Sequence, residues 1–392
     1  MKSKKKKEVL FRHKVIKWFL LHFVGPIYVR IFGFRGHRYS LKHKEPHLIL
    51  ANHMSGHDPI FIGMAFDVPL YYVSTEMIMN AGFTSHLLRY SFNPIPKSKV
   101  LPDIATITQI KRVMDQGGSV VVFVEGNLSI NGATAEIPLA IGKLAKFLKR
   151  PLLFYTLHGV YLSNPRWATT RKHGPSWGSV TDIMPYSDYQ NMPVETLNNL
   201  IAKKIALNAY KEPKIYAYRG KKLAEGLERL LFACPQCHSI NTIMTKNDHY
   251  YCSSCGLDAT YDEHGYLQAP SMKRQDLVTL DHQVKFAYQE TLLNNKTYTL
   301  KVEGTLFYTY ERHRRKQGNF HLSVRQEALH LVIGNNEQSF SYETLLGYAI
   351  QGKNKFILYL KNQPTILLIF DEKTSRKIQS IKIIIQFYPN TK

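Results

Sequence analysis

Between residues 47 and 205, short apolar runs alternate with stretches of helical periodicity, and that alternation narrows the folds open to the chain. Residues 47–51, 70–74, 119–124 and 152–157 are apolar runs of strand length bounded by polar or turn-forming residues. Residues 103–116 place Ile107, Ile110, Val113 and Met114 at helical spacing and end at Gly117-Gly118. A second stripe, Leu197, Leu200, Ile201 and Ile205, follows Pro193. Consecutive strands joined through helices run parallel, so this region is expected to be a mostly parallel α/β sheet with flanking helices and its loops gathered at one end.

A chain of 392 residues has room for two or three domains. With 44% hydrophobic and 21% charged residues it is neither disordered nor fibrous. Its 52 Lys and Arg against 29 Asp and Glu leave +23, which calls for an anionic partner, nucleic acid or an anionic membrane surface. Residues 1–44 hold 13 of the basic residues and one acid, Glu8, a net of +12. Lys4 to Lys7 lead into an apolar, aromatic stretch whose longest uncharged run, 18–29, has twelve residues. A bilayer span takes about 20. Arg30, Arg35 and Arg38 follow where a signal peptide would be cleaved. Residues 1–40 therefore read as a basic, amphipathic membrane-interface segment, with Trp18, Phe19, Leu20, Phe23 and Ile27 entering the acyl boundary. The alternative is a solvated basic tail followed by a buried first helix.

Directly after the first strand comes Asn52-His53-Met54-Ser55-Gly56-His57-Asp58-Pro59. On one continuous helix His53 and Asp58 would stand about 140° apart. If the strand ends near Asn52 and a helix starts around Ser55 or Asp58, the turn between folds His53 back onto the carboxylate. Such a pair is a general base: Asp58 fixes the imidazole tautomer while His53 takes a proton from an attacking hydroxyl. Taken alone, a loop His and Asp are as well explained by capping or surface roles. A second segment, 123–129, lies at the C-terminal end of an apolar strand, where ligands of open α/β sheets bind. It places Glu125 and Gly126 at that edge; the bland reading is a strand ending in a polar turn.

Together the two segments resemble the glycerolipid acyltransferases, which include the lysophosphatidic acid and glycerol-3-phosphate acyltransferases. The family block N-H-x-S-x-x-D is matched by Asn52, His53, Ser55 and Asp58, and F-P-E-G-T-R-S by Phe123, Glu125, Gly126 and Ser129, about 70 residues on. The resemblance covers roughly residues 40–210. It implies an acyltransferase domain over 41–215, His53 as base with Asp58 as partner, Glu125 and Gly126 in the acceptor-binding loop, and substrate contacts from Asn52, Ser55, Asn127 and Ser129. It further implies a thioester donor, acyl-CoA or acyl carrier protein, a lysophospholipid acceptor, no catalytic metal and no acyl-enzyme. Val124, Asn127 and Leu128 depart from the usual Pro, Thr and Arg. The resemblance implies that this Arg holds the acceptor's phosphate, which a leucine cannot do. Lys97 or Lys99, in a stretch resembling another family block, can supply a point charge instead, or belong to a solvated loop.

All four cysteines fall within 22 residues, as Cys234-x-x-Cys237 and Cys252-x-x-Cys255. That spacing reads as a four-cysteine zinc ribbon over 228–266, with a closed, structural Zn2+ site; two disulfides are the alternative. From 272 to 390 the chain reads as β followed by one helix. The expected strands are 298–302, 305–310, 321–324, 328–333, 338–341, 346–351, 356–360 and 365–370, with a helix over 372–387. That order resembles a pleckstrin-homology-like fold. The expectation is an acyltransferase acting on a lipid hydroxyl, peripheral or monotopic at the cytoplasmic face of a membrane, with no specific nucleic acid partner. A zinc-ribbon nucleic-acid-binding protein, or an inactive lipid-binding scaffold, are the competing classes.

Overall fold

The computed structural model describes residues 7–75, 83–97, 104–310 and 313–388. The chain forms two compact units, residues 1–165 with 172–218, and residues 166–171 with 219–392.

The first unit opens with helix α1 (Phe11–Phe19), a π-helical turn (Leu20–Val24) and α2 (Gly25–Ile31). Then follow β1 (Phe34–Gly36), β2 (Leu48–Ala51), α3 (Asp58–Ala65), β3 (Leu70–Thr75), α4 (Phe83–Phe92), β4 (Ile95–Lys97), α5 (Ile104–Asp115) and β5 (Ser119–Phe123). The unit closes with α6 (Ala140–Leu148), β6 (Leu152–His158), α7 (Val160–Ser163), β7 (Ser176–Met184), α8 (Tyr186–Tyr189) and α9 (Val194–Ile205). Its seven strands lie in the order β1-β7-β6-β2-β5-β3-β4. All neighbours are parallel except β6 and β7, so the sheet is mixed but mostly parallel. The apolar runs are buried on both faces, as a parallel sheet requires. Leu48, Leu50, Val120, Val122, Leu152 and Phe154 join one core with residues of α5, α6 and α9, while Ile49, Ala51, Val121, Leu153 and Tyr155 join the other with residues of α3.

The second unit carries an antiparallel sheet ordered β12-β11-β10-β9-β8, made of β8 (Ile243–Lys246), β9 (His249–Cys252), β10 (Asp258–Tyr261), β11 (Tyr266–Ala269) and β12 (Met272–Asp276). Helix α10 (Leu277–Asn294) follows. A seven-stranded sheet then runs through β13 (Leu300–Tyr310), β14 (His313–Val324), β15 (Ala328–Ile333), β16 (Asn336–Ser341), β17 (Leu345–Gln351), β18 (Lys355–Leu360) and β19 (Thr365–Ile369). Its order is β16-β15-β14-β13-β19-β18-β17, with every pair antiparallel. Helices α11 (Glu372–Ser375) and α12 (Ile378–Phe387) end the described chain.

Three expectations change here. Residues 272–276 pair with β11, so the second antiparallel sheet starts only at Leu300, after an 18-residue helix that strand-like patterning did not foresee. The Asp276 side chain caps that helix by accepting from the Thr279 amide, and Leu277, Leu280, Val284, Ala287, Tyr288 and Leu292 form its buried face. The expected strands 298–302 and 305–310 are one strand, because Gly304 is a close approach and not a turn. A Cβ there would stand 2.2 Å from the Ile369 carbonyl oxygen of β19. The expected helix 372–387 is two, α11 being capped by the Asp371 carboxylate on the Thr374 amide.

Candidate active site and associated sites

The site is set by how β2 ends. The Asn52 side chain donates to the Leu157 carbonyl (2.9 Å) and accepts from the Leu157 amide (2.8 Å), fastening the strand end to β6. The chain then turns and re-enters helix at Asp58, where Pro59 supplies the fixed φ of a first helical turn. Asp58 is fully buried. Its Oδ2 accepts from His53 Nδ1 (2.9 Å) and from the amides of Met54 (2.6 Å) and Ser55 (2.9 Å); its Oδ1 accepts from Ser55 Oγ (3.0 Å). A carboxylate fed by four donors makes Nδ1 the donating nitrogen of His53 and leaves Nε2 as the basic one. The ring stacks on Phe123 of β5 at 4.0 Å and keeps partial exposure.

The segment after β5 grips the backbone of the same histidine. Glu125 Oε1 accepts the His53 amide (2.8 Å), Oε2 accepts the Ala135 amide (2.9 Å), and the Ser129 amide donates to the His53 carbonyl (2.8 Å). Burial pushes the Glu125 carboxyl up to about 7 against the pull of those two amides, with the charge of Asp58 adding to the rise. Ser129 Oγ donates to the Ala133 carbonyl (2.7 Å) and accepts from the Gly132 amide (3.0 Å), closing the loop on itself. Gly126 turns with φ of +67° and is exposed, as is Asn127.

The predicted residues thus divide. Asn52, His53, Ser55, Asp58, Glu125, Gly126 and Ser129 come together, yet the side chains of Asn52, Ser55, Glu125 and Ser129 are buried and engaged internally. The internal bonds of these four side chains order the two loops around His53. Lys97 ends β4, three places from β2 in the sheet and hence about 14 Å to the side. Lys99 lies outside the described residues. One neighbour escaped sequence reading: Tyr28 of α2 hydrogen-bonds His57 Nδ1 at 2.5 Å, and Phe32 lies 4.3 Å from that ring. Nothing local links positions so far apart in the chain.

The N-terminal helices present an apolar stripe. Phe11, Val15, Trp18, Phe19, Phe23, Ile27 and Ile31 are exposed, and Phe19 stacks on Phe23 at 5.2 Å across the π turn. Leu20 is half-buried, and the first helix is not the buried one of the alternative reading. Lys17 is turned into the fold: it donates to the Gly63 carbonyl, and burial lowers its pKa to about 8. No helix among the described residues is long and apolar enough to cross a membrane.

In the second unit the sulfurs of Cys234, Cys237, Cys252 and Cys255 lie within 4.8 Å of one another. Cys234 to Cys255 and Cys237 to Cys252 are each 3.7 Å. A tetrahedral thiolate site with bonds of about 2.3 Å sets its sulfurs about 3.8 Å apart, whereas a disulfide needs about 2.05 Å. The cluster fits a metal ion.

Residues 34–153 match the family model described as Acyltransferase. No curated protein matches the chain. Among solved structures, the chain is similar to the 1-acyl-sn-glycerophosphate (LPA) acyltransferase PlsC from Thermotoga maritima, at 17% identity and a TM-score of 0.41, over 49% of this chain and 76% of that one. It is also similar to the N-terminal PH domain of human ARAP2, at 13% identity and a TM-score of 0.18, over 23% of this chain and 81% of that one.

Proposed function

We propose that this acyltransferase moves a fatty acyl group from a thioester donor, acyl-CoA or acyl carrier protein, to the hydroxyl of a lysophospholipid, with 1-acylglycerol-3-phosphate the first acceptor to test, in phospholipid synthesis or remodelling. The observation that carries the reading is the His53–Asp58 pair at 2.9 Å, with Nε2 left basic at the functional end of the sheet. The acceptor hydroxyl gives its proton to Nε2 as its oxygen attacks the thioester carbonyl. A C–O bond forms, the tetrahedral intermediate collapses with cleavage of the C–S bond, and the imidazolium returns the proton to the departing thiolate. Asp58 stabilises the imidazolium and keeps the ring in its productive tautomer. No protein nucleophile is required.

Leu128, standing where the family carries Arg, favours a second reading in which the acceptor is another lysophospholipid or a lipid alcohol. On either reading residues 41–215 are the catalytic domain and residues 1–40 an interfacial segment, holding the enzyme peripherally at the cytoplasmic face of an anionic membrane. The four cysteines hold a structural zinc ion in a ribbon whose sheet extends to Asp276, and the last sheet with α12 is pleckstrin-homology-like. The test is an acceptor panel with labelled acyl-CoA and acyl carrier protein donors, read by lipid mass spectrometry. An acylated lysophospholipid made by the wild type and not by a folded His53→Ala variant supports the assignment; equal turnover by both removes it.

A further inference from the structure

A cavity of about 830 Å³ in the first unit opens between α2, β1 and the far end of α3. Arg30, Arg35 and Arg38 line it together with apolar Val29, Phe34 and Met64. Among the described residues no carboxylate pairs with any of the three guanidinium groups. The cavity shares its walls with the catalytic segment. Phe34 stacks on Phe61 of α3 at 4.2 Å, and Met64 lies six residues beyond Asp58 on the same helix, about 9 Å along its axis. Sheet order agrees, since β1 stands three places from β2, about 14 Å.

That separation favours a long anionic ligand over a short one. In 1-acylglycerol-3-phosphate, four bonds separate the reacting oxygen from phosphorus, a reach of about 5 Å. With its hydroxyl at His53, such an acceptor holds its phosphate about 5 Å away, well short of the strand separation of about 14 Å. In a phosphopantetheine thioester, thirteen bonds separate sulfur from the nearest phosphorus, about 16 Å when extended. We infer that Arg30, Arg35 and Arg38 bind the phosphate end of the acyl donor, the pantetheine arm running along α3 to His53. This rests on the thioester reading above. Coenzyme A brings a diphosphate and a 3′-phosphate to three arginines; acyl carrier protein brings one phosphodiester on an acidic surface.

The experiment uses the full-length enzyme and its Arg35→Gln/Arg38→Gln variant, with Arg35→Lys/Arg38→Lys to restore charge. Donors are acyl-CoA, acyl carrier protein and acyl-pantetheine, which lacks phosphate. The expected result is a loss of at least about tenfold in the preference for acyl-CoA over acyl-pantetheine, carried by donor KM and partly recovered by lysine. If the loss appears with acyl carrier protein and not with acyl-CoA, the carrier is the source. Calorimetric titration of free coenzyme A separates the layers. Binding that weakens in the Gln variant sustains the site even if no acceptor is turned over. An active enzyme whose donor KM and coenzyme A affinity ignore both substitutions overturns it, as does a loss confined to vesicle binding, which would make the cavity a lipid head-group site.

Discussion

Glu125 holds the amide of His53 at 2.8 Å with one carboxylate oxygen and the amide of Ala135 at 2.9 Å with the other. His53 is thus set from two directions, its ring by Asp58 and its backbone by the loop after β5. Glu125→Gln keeps the shape but turns one acceptor into a donor, which must face an amide N–H. Leaving a buried donor unsatisfied costs about 1–3 kcal/mol. The expected outcome is a stability loss of that size in urea unfolding, with kcat falling because His53 is displaced.

The same carboxyl sets a pH dependence. Its pKa in the folded protein is raised from 4.5 to about 7 by burial. A raised carboxyl favours the fold while protonated, so its contribution is fully present below about 4.5 and is lost as pH rises through about 7. Urea midpoints across that window should therefore decline more steeply in the wild type than in Glu125→Gln. Parallel slopes would remove Glu125 as the source.

The proposed general-base role of His53 predicts that His53→Ala lowers kcat by about 10²–10⁴ with little change in melting temperature, since its ring is partly exposed. Asp58→Asn differs: an amide cannot accept from four donors, so activity and stability should fall together, by about 3 kcal/mol or more for the latter. Measuring both quantities on both variants separates a catalytic from an architectural role.

The local pattern that made this site legible was one strand, one His and one Asp close in sequence, because a short turn and a helix start can be read from Asn52 to Pro59. The apolar core strands were legible for the same reason, being buried on both faces. What was not legible arises from distance. Asn52 reads the backbone of Leu157, Glu125 that of His53, and Tyr28 the ring of His57, and none of these partners is visible in a local window. Strand β7 was missed because it mixes Ser, Gly, Thr and Asp with only partial burial. Helix α10 was missed because Lys, His, Gln and Asp interrupt its apolar face at close intervals.

The cysteine cluster predicts one zinc ion per chain by elemental analysis. Cys234 is buried and Cys255 exposed, so Cys234→Ser should release metal and lower the melting temperature of the second unit more than Cys255→Ser does. A structural zinc site contributes several kcal/mol, so chelation should give a thermal shift of many degrees. Absence of zinc, with no thiol titratable before reduction, would favour disulfides.

The exposed stripe on α1 and α2 predicts membrane binding without a spanning segment. Trp18, Phe23 and Ile27 make no core, so replacing all three by Ser should leave the melting temperature unchanged. Each fully buried apolar side chain contributes about 1.5–3 kcal/mol, so the triple variant should lose at least about a hundredfold in partitioning to anionic vesicles. Salt should weaken wild-type binding as well, since the lysine arm acts over a Debye length of about 8 Å at physiological ionic strength. Cosedimentation with phosphatidylglycerol and phosphatidylcholine vesicles at two salt concentrations reads both effects. Binding that survives the substitutions and responds only to salt would assign the surface to charge alone.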